Sequence, residues 1–403
     1  MKKHISYEAA AKILLSQPAT PRETEVDIEE ALWRILARDI RAGFPMPPFD
    51  KSPFDGFALN AEETPGTLTI RGETPAGCAD PEALLPGTAM RIFTGAPIPE
   101  GANTIVKFED VLSDGRTVTV QEALTPGTNI VRAGEDYPEG ELLVSAGSRL
   151  SAAQLGLMAS QGIRRVPVFE KPKVLILSTG TELSEPGEAR LPYGIYNSSY
   201  YSLSGYLRCM GFEVRYGGTV PDDRELIEGR IASAMESDAD LVITTGGASV
   251  GDYDFAVRSA EELGMDILFW KVNMKPGGAL MAARSGEKLY IALSGNPAAA
   301  TMSLLTVVQP FVRRLSGAEI GNTAMELPLL HEMPKSSTAV RMLRGQTTIR
   351  DGVTFFDEHP GRGNGHMMSF THCNLIGVIP ANSGSLTAGT VIPALELPED
   401  LCF

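Results

Sequence analysis

Lys173-Val174-Leu175-Ile176-Leu177-Ser178-Thr179-Gly180-Thr181-Glu182 is the stretch that decides the fold. A short apolar run, 174–177, ends in small polar residues and a glycine. That is how a strand buried on both faces reads when it leads into a tight loop. The pattern then repeats. Leu203, Leu207 and Met210 follow at helical spacing, and 212–216 reads as a strand. Residues 223–236 read as a helix through Leu226, Ile227, Ile231 and Met235. Residues 241–245 form another apolar run, 255–263 another helix and 267–272 another strand. Strands alternating with helices at this spacing predict βαβ units and a doubly wound, mainly parallel α/β domain over residues 171–317. Within it, 280–283 and 289–293 read as a hairpin. Asn296-Pro297 opens a long helix to Leu315, with Asn as cap and Pro in the first turn.

The flanks read differently. Residues 9–15 fit an amphipathic helix. Asp27 and Glu30 form a capping pattern, and Leu32, Ile35, Leu36 and Ile40 at helical spacing predict a second helix. From 43 to 136 the chain is rich in Pro and Gly, with short β-like runs at 67–71 and 117–121. Residues 151–162 return to helix, with Leu155, Met158 and Ala159 on one face. The expected layout is a discontinuous helical/β domain, 1–41 and 137–170, around a loop-rich β insert, 42–136. After Ser316-Gly317 the pattern is β again. Asp351-Gly352 between 347–349 and 353–355 predicts a two-residue hairpin, and 391–397 a closing strand. A C-terminal β barrel, 318–403, completes the expected α/β multidomain architecture.

The chain has 403 residues, 35 Lys plus Arg and 50 Asp plus Glu, for a net charge of −15. This balance argues against a nucleic-acid partner, which needs a basic footprint. Any anion site must be built locally from Lys, Arg and backbone N–H groups. With 43% hydrophobic and 21% charged residues the chain is not largely disordered. Cys78, Cys209, Cys373 and Cys402 are scattered, so no zinc ribbon or thioredoxin motif is written, and free thiols suit the cytosol. Lys12 interrupts the apolar stretch that a signal peptide requires, and no run approaches the ~20 apolar residues of a membrane helix. The expectation is a cytoplasmic protein that engages neither membrane nor nucleic acid.

Three glycine-bearing turns follow strands of the α/β domain: Ser178-Thr179-Gly180, Gly246-Gly247-Ala248-Ser249-Val250-Gly251 and Ser294-Gly295-Asn296-Pro297. In an open parallel sheet, ligands bind beyond the carboxyl ends of the strands. Glycine there lets backbone N–H groups approach an anion, and the following helix favours negative charge. One such turn is an ordinary βα connection. Three in one domain point to a phosphate-bearing ligand held by Ser178, Thr179, Gly180, Gly246, Gly247, Ser249, Gly251, Gly295, Asn296 and Pro297. No GxGxxG follows a strand and no Gly-Lys occurs, which excludes a nicotinamide unit and a Walker A loop. Glu182, Asp222, Asp223, Asp252 and Asp254 lie by the same loops and suit Mg²⁺ beside phosphate. Asp223 and Asp254 read equally well as helix caps. Lys271 and Lys275, four apart before Pro-Gly, are candidate anion ligands or a solvated strand edge. On residue type alone Asp55 and Thr94 sit in turns. His359, His366, His372 and Cys373 match no regular zinc spacing. Residues 247–251 have the spacing of a nucleophile elbow, whose base would have to come from those distant histidines.

The strings PPFDKSPFDGFA (47–58), RIFTGAPIPEGAN (91–103), VRAGEDY (131–137), STGTEL (178–183), TTGGASVGDYD (244–254), FWKVNMKPG (269–277) and SGNPAA (294–299) occur in this order over nearly the whole chain. Together they resemble the molybdopterin molybdenumtransferase family, the bacterial MoeA proteins and the E domain of gephyrin. The resemblance implies insertion of molybdenum from molybdate into adenylylated molybdopterin, with release of AMP and a need for Mg²⁺. It implies a homodimer whose cleft lies between the α/β domain of one subunit and the β insert of the other. It implies an α/β domain like that of the molybdopterin adenylyltransferases, MogA and MoaB, which are possible delivery partners. The matching site positions are Asp55, Thr94, Asp136, Lys271 and Lys275 for catalysis, and Glu182, Asp222 and Asp254 for metal; Asp222-Asp223 aligns either way. Three strings depart from the family's usual ones: Gly278-Ala279 where KPGKP is usual, Ser294 where PGNPVS begins with Pro, and Asn197 where Asp is frequent. The missing lysine at 278 predicts weaker molybdate affinity, unless Arg284 or Arg344 supplies the charge. Two other readings compete: a non-catalytic pterin-nucleotide binder or gephyrin-like scaffold, and a phosphatase acting on another nucleotide.

Overall fold

The apolar run at 174–177 becomes the strand Lys173–Thr179, deep inside a seven-stranded sheet. The computed structural model describes residues 2–246, 255–318, 324–334, 336–359 and 366–397. Across the sheet the strands run Lys2–Ile5, Asp266–Val272, Leu280–Ser285, Lys288–Leu293, Leu241–Thr245, Lys173–Thr179 and Glu213–Val220. Lys173–Thr179 pairs in parallel with both Glu213–Val220 and Leu241–Thr245, and the latter in parallel with Lys288–Leu293. The expected hairpin at 280–293 supplies an antiparallel pair, and Asp266–Val272 adds a second beside it. Alternate side chains enter opposite layers, as a two-faced buried strand requires. Val174, Ile176, Leu241 and Ile243 meet Leu203, Leu207 and Phe311 on one face. Leu177, Val242 and Tyr290 meet Ile227, Ile231 and Ala260 on the other. Helices therefore cover both faces.

The long helix predicted from Asn296 forms. Asn296 accepts from the Ala299 N–H at 3.1 Å and Pro297 occupies the first turn. The rod passes through a π turn at Leu304–Val308 before Gln309–Leu315. Pro310 explains the wide turn: it has no N–H to give the carbonyl four residues back, and its ring pushes that carbonyl away.

Two expectations at the start of the chain fail. The helix predicted from the spacing of Leu32, Ile35, Leu36 and Ile40 is absent. Asp27 caps only the 3-10 turn Ile28–Glu30, through the Glu29 N–H at 3.1 Å. Trp33 then has φ +64°, which ends any helix, and Ile35 and Leu36 make single bridges to Arg149 and Val168. Those apolar residues fill a small core instead, with Ala31, Leu36, Ile40, Val144, Leu150, Met158, Val166 and Val168. The predicted helix at 151–162 forms as Ala152–Ser160, behind a reciprocal Ser151–Gln154 cap, and Met158 packs on this core. The second failure is one of membership. Lys2–Ile5 is the edge strand of the seven-stranded sheet, and Tyr7–Leu15 buries Ala10 and Leu14 in the α/β core. The leading part of 1–41 thus belongs with the α/β layers, through a pairing that no local pattern reveals.

The insert holds a six-stranded sheet in the order Thr104–Lys107, Gly56–Leu59, Thr88–Ile92, Gly66–Thr74, Thr117–Val120 and Leu112–Ser113. Beyond residue 323, Val340–Arg350 and Val353–Glu358 form the predicted hairpin, with Asp351 and Gly352 at φ +49° and +77° as a primed turn needs. In place of a fully hydrogen-bonded barrel, the described strands follow an open path. That path curls until Leu329 and Leu330 meet Phe356, with Leu330 N–H to Phe356 O at 2.9 Å. Met274–Lys275 pairs in parallel with Val340–Arg341 and ties this sheet to the α/β layers.

Candidate active site

The chain leaves Lys173–Thr179 toward one side of the sheet and returns to Leu241–Thr245 on the other. The crevice beyond their carboxyl ends is the switch point where open α/β sheets bind ligands. Three predicted turns converge there. Thr179 donates its hydroxyl to Thr245 O at 3.1 Å. Gly246, at φ +94°, lies so close that a Cβ would sit 2.4 Å from Thr179 Oγ1 and 2.5 Å from Thr179 O. A Cβ on Gly295 would lie 3.5 Å from Gly246 Cα. Thr179, Gly246 and Gly295 thus form one floor, flanked by Ser178, Gly180, Asn296 and Pro297. Gly247, Ser249, Gly251, Asp252 and Asp254, which were also expected here, lie outside the described residues.

The carboxylates beside this floor separate by role. Asp222 accepts from the Thr181 N–H at 3.1 Å while the Thr181 hydroxyl accepts from the Asp222 N–H at 2.9 Å. Asp223 instead caps Arg224–Glu236 through the Leu226 N–H at 3.0 Å. By these contacts Asp222 faces the Thr181 loop and Asp223 serves the helix. The Glu182 carboxylate folds over Gly180, with Oε2 2.5 Å from where a Cβ would stand.

Behind the loop lies a polar knot that sequence reasoning missed. Asn197, fully buried, donates Nδ2 to Ser178 Oγ at 3.0 Å, Tyr216 OH at 2.8 Å and Glu185 Oε1 at 3.1 Å. Thr219 donates to Glu185 Oε1 at 2.6 Å, and Tyr216 donates to the same oxygen. Burial, and then the neighbouring carboxylate, push the Tyr216 hydroxyl up to about 12. Burial alone would raise the Glu185 carboxyl; the donors of Thr219, Tyr216 and Asn197 outweigh it and hold the group below its ordinary range. The only local signal was Asn197, and its partners lie on three separate segments.

The insert brings together two of the residues expected at the site. Asp55 Oδ1 accepts from both the N–H and the hydroxyl of Thr94 at 2.8 Å. The backbone donor, then the hydroxyl, hold this exposed carboxyl below the usual carboxylate range. Asp136 is exposed beside the Met46–Tyr137 bridge at the base of the insert. Among the described residues no hydrogen bond or ion pair joins it to Asp55 or Thr94.

The two lysines part company. Lys275 lines a cleft of about 260 Å³ with Ser337, Arg341, Arg344, Glu358 and His359. Arg344 is buried, its guanidinium 5.2 Å from the Phe370 ring centroid, and burial lowers its pKa. Arg344 therefore supplies local charge beside Lys275, whereas Arg284 pairs with Asp266 at 3.8 Å on another strand pair. Gly278 is more than a lost charge. A Cβ there would stand 2.6 Å from Val272 O and 2.7 Å from Met274 O. Lys271 lies one strand earlier, with φ +67° and its Nζ 4.3 Å from the Trp270 ring centroid.

Residues 5–162 match the MoeA N-terminal region (domain I and II), and 175–314 match the probable molybdopterin binding domain. Relatives named molybdopterin molybdenumtransferase from Bacillus subtilis and Haemophilus influenzae are each 32% identical to the chain. The alignments cover 94% and 96% of it, and 91% and 97% of those proteins. Two solved molybdopterin biosynthesis MoeA structures from Pyrococcus horikoshii superpose with TM-scores of 0.85 and 0.81 at 28% identity. They cover 98% and 97% of this chain and 99% and 100% of theirs.

Proposed function

The chain belongs to the molybdopterin molybdenumtransferase family of molybdenum-cofactor biosynthesis, and on that premise we propose that it takes adenylylated molybdopterin and molybdate, inserts molybdenum and releases AMP. The observation that carries this reading is the floor formed by Thr179, Gly246 and Gly295 at the switch point of the sheet. With Ser178, Gly180, Asn296 and Pro297 it offers backbone N–H groups to a pyrophosphate. Glu182 and Asp222 at its mouth are hard oxygen donors of the kind Mg²⁺ takes beside phosphate, and the family resemblance adds Asp254 as a third. Bound there, Mg²⁺ would neutralise charge on the phosphate oxygens. Asp55, kept ionised by Thr94, orients or accepts the proton of the group that attacks the phosphoanhydride. Lys275, with Arg341 and Arg344 beside it, and Lys271 meet the oxyanion.

Asp55 and the glycine floor sit in different parts of the chain. Among the described residues no hydrogen bond or ion pair joins the insert, 42–136, to the α/β layers. This supports a homodimer in which the insert of one copy closes over the α/β crevice of the other. The adenylylating enzyme is the natural source of the substrate. Among the described residues no helix is long and apolar enough to cross a membrane, and a cytoplasmic setting goes with the reading. The test is AMP release from adenylylated molybdopterin, with molybdate and Mg²⁺ varied independently. Molybdate-dependent release is the expected result. Binding without release at any concentration of either would make the chain a pterin-nucleotide binder, and AMP release from simple dinucleotides would make it a phosphatase.

A further inference from the structure

On the edge of the seven-stranded sheet, the parallel register sets Lys3 opposite Trp270. Partners across a strand pair share a face, and the Lys3 ammonium lies 4.5 Å from the indole ring centroid. Lys271 follows Trp270 in the chain and in a regular strand would point to the opposite face. Its φ of +67° breaks the alternation, and its own ammonium comes to 4.3 Å from the same ring. The left-handed region costs a side-chain-bearing residue roughly 1–2 kcal/mol, so the surroundings hold Lys271 in a strained setting. The two ammoniums are thereby no farther apart than the sum of those two distances.

Among the described residues neither Lys3 nor Lys271 makes an ion pair or hydrogen bond, in a chain with 50 acids against 35 bases. Among the described residues the buried indole Nε1–H has no acceptor. Two like charges on one ring repel, and an orphaned buried donor is costly; a bound anion relieves both. The place is suitable as well. Asp266–Val272 runs in the same direction as Lys288–Leu293, since each is antiparallel to the strand between them. Its carboxyl end therefore opens on the same edge of the sheet as the three glycine turns.

We propose that Lys3, Lys271 and the Trp270 indole N–H together form a binding site for a tetrahedral oxyanion, with Lys3 as an anion ligand carried in by the edge strand. This deepens the proposed function, in which Lys271 is one oxyanion ligand, and it is tested without transfer chemistry. The full chain is titrated calorimetrically with sodium molybdate, and separately with phosphate and sulfate, at two ionic strengths. Lys3→Gln should weaken molybdate binding roughly tenfold, more at low salt, while Lys3→Arg retains it. Trp270→Phe, which keeps the ring and removes the N–H, should weaken it less. Lys2→Gln, on the opposite face of the strand, should bind like the parent. Thermal melts confirm that each variant folds. Parent-like binding by Lys3→Gln, an equal loss in Lys2→Gln, or no binding of any of the three anions by the parent would overturn the proposal. If AMP release fails in the parent while anion binding still depends on Lys3, the function reading falls and the site stands.

Discussion

Asp55 shows how two donors from one neighbour set the state of a carboxylate. Both Thr94 bonds favour the charged form, so Asp55 ionises at lower pH than a free aspartate, near 3.9. Activity that needs its carboxylate should persist down through about pH 4 and fall below that. Thr94→Val removes the hydroxyl bond and should move this acid limb of kcat/KM upward, while the backbone bond keeps part of the shift. Asp55→Asn should melt like the parent and lose turnover by orders of magnitude; near-parental turnover would return Asp55 to the role of a turn residue. Gly278 carries a different constraint. The extra lysine usual in related strings cannot be restored here, because its Cβ would strike two backbone carbonyls. Gly278→Lys should cost about 1–3 kcal/mol of stability by denaturant unfolding. A variant that is fully stable and binds molybdate more tightly would show that the loop rearranges freely.

Among the elements, the polar knot behind the Ser178 loop joins the strand Glu213–Val220, the cap of the helix Ser198–Cys209 and the segment at Glu185. Its pH window follows from the two shifts. The Glu185 carboxyl is lowered, so its contribution is present above its unfolded value and is lost as pH falls through the folded one. The Tyr216 hydroxyl is raised, so its contribution is complete below about pH 10 and is lost as pH rises toward about 12. Tyr216→Phe should cost about 1–2 kcal/mol near neutral pH and flatten the alkaline part of the stability profile, measured by urea unfolding at several pH values. A parental alkaline profile in that variant would remove Tyr216 from the knot. The same scale shows what a sequence reveals. Two-faced strands such as 174–177 and 241–245 were legible because burial on both sides forces unbroken apolar runs. The spacing of Leu32, Ile35, Leu36 and Ile40 misled, because a chain that turns at Trp33 also brings such residues into one core. At the site, glycines, Asp222 and the lysines were visible as types. Arg344 beside Lys275, Asn197 beneath Ser178 and Lys3 beside Trp270 depend on pairings between distant segments, and no periodicity records those.

At the scale of the whole molecule, the separation of Asp55 from the glycine floor has a direct test. If each cleft takes Asp55 from one copy and Lys275 from the other, two inactive variants should repair one another. Asp55→Asn chains and Lys275→Ala chains, mixed after reversible dissociation, should recover roughly a quarter of parental AMP release, because half of the dimers are mixed and each of those has one intact cleft. Either variant alone should stay inactive. No recovery from a mixture shown to contain mixed dimers would place both residues in one chain's cleft. The measurement is the activity of the mixture against its composition.

The edge strand that carries Lys3 also has a history. Lys2–Ile5 pairs with Asp266–Val272, so it leaves the ribosome long before that neighbour exists. At ~5–20 residues per second the wait is on the order of tens of seconds. Throughout it, Ala10 and Leu14 on Tyr7–Leu15 have no core to enter, because the layers that bury them are made from residues beyond 170. The central parallel strands can assemble first, and a segment made before them is among the last to dock. Such long-range closure is slow, and it leaves an unpaired strand and an apolar helix face exposed in the nascent protein. Chaperone dependence in synthesis would be the cellular mark of this topology, and it would concentrate on the segment whose lysine the mature site uses.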